Sequence, residues 1–146
     1  LIEILVAVLI LSLGILGLVG MESLALKSNL SAYHRSQATI LAYDLADKMR
    51  GNPVGVASND YIAAFPNGAS HAVACVSYTG GVTGSGCSPQ EIAERDIYEW
   101  TTNIAEILPG GIGSLAVAST IHTLTLSWDD DRNGIADQNF EFSFGL

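Results

Sequence analysis

The stretch DDDRNGIAD puts oxygen-bearing side chains at a spacing suited to a hard cation. Counted from Asp129, the residues Asp129, Asp131, Asn133, Gly134 and Asp137 occupy positions 1, 3, 5, 6 and 9 of a calcium-loop pattern, and Ile135 would offer its backbone carbonyl at position 7. Oxygens so placed converge on one point, and the glycine permits a sharp turn. The bidentate glutamate that closes such a loop at position 12 is replaced by Phe140, with Glu141 one residue later. A weak Ca2+ site is one reading. The other is an acidic hairpin turn in which Asn133-Gly134 is simply good turn chemistry.

The rest of the chemical inventory is thin. His34, His71 and His122 are scattered, no Cys-x-x-Cys occurs, and GGVTGSG lacks the lysine of a phosphate-binding loop. No enzymatic constellation emerges. Cys75 and Cys87 bracket a glycine-rich stretch and are expected to close a disulfide if the domain sits in an oxidising space; two free thiols are the alternative. Residues 52–146 hold only Arg95 and Arg132 as cations and carry the whole net charge of −9, whereas residues 1–51 sum to zero. Two arginines cannot build a basic stripe, so nucleic-acid binding is excluded.

One more carboxylate stands out by its neighbours. Glu3 lies at the tip of LIEILVAVLILSLGILGLVG, which is otherwise uncharged until Glu22. The run from Ile4 to Met21 is roughly 27 Å of helix, close to a bilayer core. An ionised carboxylate in hydrocarbon costs several kcal/mol or more unless paired, and no basic side chain precedes Lys27.

These residues need elements to position them. The apolar run continues into a helical pattern in which Leu26, Leu30, Tyr33, Leu41, Leu45 and Met49 share a stripe. Lys48 and Arg50 suit a last turn, Gly51 a C-cap, and Asn52-Pro53 a stop, so one helix of about 50 residues is expected. Gly14, Gly17 and Gly20 inside it permit either close packing or local unwinding, and an interruption between Gly14 and Gly20 is expected in an assembled filament. Residues 54–87 read as loop with one short strand at HAVACVSY. A second helix starts at a Ser88-Pro89-Gln90-Glu91 capping box, buries Ala93, Ile97, Trp100, Ile104 and Leu108, and stops at Pro109. Alternation in TIHTLTLSW and QNFEFSF gives an antiparallel pair facing the core through His122, Leu124, Leu126 and Trp128 and through Phe140, Phe142 and Phe144; SLAVA adds a strand. The expected fold is α+β: a long N-terminal helix packed on a small antiparallel β-sheet, with one additional helix. The division is residues 1–25 as apolar stem, 26–51 as amphipathic half-helix, and 52–146 as an extracytoplasmic globular domain.

LIEILVAVLILSLG resembles the N-terminus of type IV pilins and pseudopilins, and NLSAYHRSQATILAYDLADKMRGNP, ILPGG and LSWDDDR resemble the PilV-type minor pilins. The resemblance implies a structural subunit that waits in the bacterial inner membrane by a single-pass stem and then packs with other pilin subunits into an extracellular filament serving adhesion and twitching motility. It implies that Glu3 is the early stem glutamate, fifth from the processed N-terminus in the family, where two residues stand ahead of the position of Leu1 and the first is a methylated phenylalanine, and that it pairs with a neighbouring subunit's N-terminal amine. The alternatives are the major pilin of a filament, a type II secretion pseudopilin, and a membrane-tethered calcium-dependent binding module. Only the last makes Glu3 dispensable.

Overall fold

The computed structural model describes residues 1–66 and 87–146. Their elements are α1 (Ile2–Gly51), α2 (Pro53–Ala57), α3 (Asp60–Ala63), α4 (Pro89–Ile107), β1 (Ile112–Ala118), β2 (Ile121–Trp128) and β3 (Gln138–Gly145). The expected α+β architecture is present. The strand expected at HAVACVSY lies outside the described residues.

Two compact units divide the chain, Leu1–His34 and Arg35–Leu146. The first is helix alone. Its apolar side chains are exposed along its length, from Leu5 at 63% and Leu9 at 60% to Leu18 at 69%.

The second unit has the core. The C-terminal part of α1 contributes Ala38, Leu41, Ala42, Leu45, Ala46 and Met49, α4 its whole predicted stripe, and β2 the side chains of Leu124, Leu126 and Trp128. The six α1 positions follow the three-to-four-residue spacing of one helix face. Three of them are alanines, which let neighbouring elements approach closely. Leu26, Leu30 and Tyr33, assigned to the same stripe, are instead 64%, 43% and 53% exposed. The periodicity gives the face, but burial along it begins only at His34.

The start of α4 follows its sequence signal. The Ser88 hydroxyl accepts from the Glu91 amide at 3.2 Å, and Glu91 Oε2 accepts from the Ser88 amide at 2.7 Å. Those bonds to Ser88 hold the Glu91 carboxyl below the usual glutamate range. The sheet is antiparallel in the order β1-β2-β3, with Leu115 opposite Leu124 and Leu124 opposite Phe142. α4 packs so closely on β1 that a Cβ at Gly113 would sit 2.5 Å from the Trp100 ring.

α2 and α3 correct the reading of residues 54–66 as loop. They span 5 and 4 residues, too short to show a helical period. Asn52 starts α2: its side-chain oxygen accepts from the Gly55 amide at 3.2 Å, and Pro53 supplies a first residue that needs no amide partner.

Candidate functional site

Glu3 lies in the first turn of α1, where the helix dipole favours a carboxylate. The helix runs unbroken through Gly14, Gly17 and Gly20, and a Cβ at any of the three would meet nothing within 4 Å. The glycines therefore leave open backbone surface that the single chain does not use. By length and composition α1 can cross a membrane: its most apolar 18-residue window has a mean hydropathy of 2.8, with none of it buried.

In the second unit, polar groups fix α4 against the C-terminal part of α1. The buried Trp100 indole donates to the Leu41 carbonyl at 2.8 Å. Lys48 Nζ lies 3.1 Å from Glu99 and 3.4 Å from Asp44, and Arg95 Nε lies 2.8 Å from the other Glu99 oxygen. Burial pushes the Glu99 carboxyl up, but Arg95 and Lys48 together hold it below the usual range. Burial likewise lowers Lys48, yet Glu99, Asp44 and Asp96 outweigh it and raise the ammonium above its ordinary value. Tyr61 donates to Asp96 at 2.7 Å; burial raises that phenol, and burial also raises Asp96 against the pull of Tyr61 and Lys48. Asn52 Nδ2 donates to the Pro89 carbonyl at 2.8 Å, tying the end of α1 to the start of α4. The sequence reading missed Asn52, Tyr61 and Asp96. Only Asn52 had a local signal, the Asn-Pro pair of a capped helix start.

The loop between β2 and β3 uses its acids on itself. Asp129 accepts from the amides of Asn133 at 3.1 Å and Gly134 at 2.6 Å, and Asp131 accepts from the Asn133 amide and side chain at 3.2 and 3.0 Å. Asn133 Oδ1 accepts from the Ile135 amide, and Asp137 closes the loop by accepting from the Asp130 amide, each at 2.8 Å. Burial pushes the Asp129 carboxyl up, but the Gly134, Asn133 and Arg132 amides and Asp131 hold it below the usual range. Among the described residues no group of three or more His, Cys, Asp or Glu side chains is placed to hold a metal ion. His122 stacks on Phe144 with centroids 5.7 Å apart. Cys75, the expected partner of Cys87, lies outside the described residues.

α1 is exposed and apolar in the first unit and contributes a core face to the second. A family model of type IV pilin, Tt1218-like, matches residues 20–98. The chain belongs to the Tt1218-like family of type IV pilins. No curated protein and no solved structure matches it. The matched stretch runs from Gly20 through α2, α3 and the first half of α4, so this pilin's Glu3, sheet and acidic loop lie beyond it. Type IV pilins are structural rather than enzymatic proteins that assemble with other pilin subunits into filaments. The polar ties between α1 and α4 suit that task, because they hold the globular unit to the same helix that continues into the stem.

Proposed function

We propose that this pilin is held in the bacterial inner membrane by its stem and is then packed by that stem into an extracellular filament, as a PilV-type minor subunit. The observation that carries the filament reading is the 50-residue α1, exposed and apolar at its start and half-buried in a compact unit at its end. The minor role is supported by the NLSAYHRSQATILAYDLADKMRGNP, ILPGG and LSWDDDR strings. In the packed core Glu3 would meet the N-terminal amine of a neighbouring subunit. A subunit docked at the wrong height would leave that carboxylate unpaired in an apolar surround, so the pair sets register. The test is Glu3→Ala: membrane insertion is retained while the amount in sheared filaments falls at least about tenfold. Wild-type incorporation of the variant would end the register argument. Quantifying this chain against total filament protein then separates a trace subunit from a bulk one.

A second reading is a main subunit that repeats along the filament, so that copies of this chain lie next to one another.

A further inference from the structure

An apolar pocket of about 290 Å³ opens where α1 ends, lined by Met49, Arg50, Pro53, Val56, Ala57 and Leu146. Of these residues Arg50 is charged, and its Nη1 lies 2.7 Å from Oδ1 of Asp47, three residues earlier on α1, with both side chains substantially exposed. At the other end of the same unit the loop between β2 and β3 projects Ile135, 70% exposed and among the most exposed large apolar residues outside the stem. Exposed Asp131 and Arg132 flank it.

The two features lie at opposite ends of β3. Arg35 donates to Gln138 at 3.5 Å, Tyr43 packs on Phe142 with centroids 4.7 Å apart, and the Arg50 guanidinium lies 5.7 Å from the Phe144 ring. β3 therefore runs beside α1 in the same direction. From Arg35 to Arg50 the helix covers roughly 22 Å, and from Gln138 to Gly145 the strand covers roughly 23 Å. The loop precedes β3 and the pocket follows it, so the loop of one molecule cannot reach its own pocket.

We propose that the pocket receives Ile135 from a second copy of this chain. The apolar side chain fills the apolar lining, Asp131 meets Arg50, and Arg132 meets Asp47, so the flanking charges match in both directions. Arg50 has donors left for a second carboxylate beside Asp47. The loop arrives already shaped, since Asp129, Asn133 and Asp137 hold its backbone closed, and little ordering entropy is lost on docking. A contact between two different patches of identical chains is heterologous: it repeats without closing unless its rotation makes a ring, and otherwise builds an open helix. The inference rests on the filament reading and fits a subunit present in adjacent copies.

The test uses the full-length chain in cells, with Ile135→Cys and Ala57→Cys introduced together and mild oxidant added. The expected result is a reducible ladder from dimer upward that contains only this chain. Either cysteine alone should give none, and two single variants co-expressed should stop at dimer. The native cysteines, present in every variant, serve as the internal control. Arg132→Asp should lower the cross-linking yield about two- to fivefold, and Asp47→Arg added to it should restore the yield. Neither position is in the core. If the chain is recovered in sheared filaments without a ladder, the filament reading stands and the contact is wrong. If it stays in the membrane and gives no ladder, both fall. Cross-linking to a different protein would overturn the identity of the occupant.

Discussion

Asp129 shows how one pattern of residue types admits two uses. The spacing of Asp129, Asp131, Asn133 and Asp137 points to oxygens converging on a cation, whereas in the folded loop their acceptors meet backbone amides of the same loop. Side-chain acceptors at Asx-type spacing favour such local bonds, and a pattern match does not tell the two uses apart. Asp129→Ala should therefore lower the melting temperature in buffer containing a chelator, where metal cannot contribute. An unchanged melting curve would mean the amides find water equally well. The same carboxyl predicts an acid limb. Because its folded value is depressed, its stabilisation is present above the ordinary aspartate range near 3.9 and is lost as pH falls through the lower folded value. Trp100 could not be anticipated in the same way. Its burial was legible from the stripe, but its partner is the Leu41 carbonyl, a main-chain atom that no side-chain pattern encodes.

At the scale of elements, α4 and β2 were the most legible parts, because a capping box and a strict alternation are local signals that packing then reinforces. α2 and α3 were not, being too short for a period. The seam between α4 and β1 was not legible: the strand was expected at SLAVA, and Gly113, one residue ahead of it, carried no signal. Gly113→Ala would force its new methyl into the Trp100 ring and should cost about 1–3 kcal/mol, read as a shifted denaturation midpoint at unchanged slope. The ties between α1 and α4 give this seam its own pH behaviour. Glu99 is depressed, so its contribution is present above about pH 4.3 and lost as pH falls through its folded value. Asp96 is raised, so protonating it on the way down favours the folded state and offsets part of that loss. Lys48 is raised, so its contribution is complete below about pH 10.4 and is lost as pH rises through its folded value. Glu99→Gln should flatten the acid limb of a urea stability profile measured between roughly pH 3 and 6.

At the scale of the whole molecule every Asp, Glu, Lys and Arg lies among the described residues, since residues 67–86 contain none. Lys48, Arg50 and Arg95, of only six cations in the chain, are engaged in ion pairs among the described residues. The globular part thus offers other molecules mostly carboxylates, and the stem mostly hydrocarbon. Deleting residues 1–25 should convert a chain that sediments with membranes and needs detergent into one that stays in the supernatant without it, with the core transition kept. Loss of that transition would show that the stem residues are part of the folding unit.

Both tryptophans, Trp100 and Trp128, are completely buried in the second unit, and no aromatic ring occurs before Tyr33. Light therefore sees the two units unequally. Tryptophan fluorescence reports the second alone, whereas far-ultraviolet dichroism is weighted by every turn of the 50-residue α1. Two melting curves recorded on one sample then describe different parts of the molecule. Their separation measures how independently the stem unwinds, with no label attached.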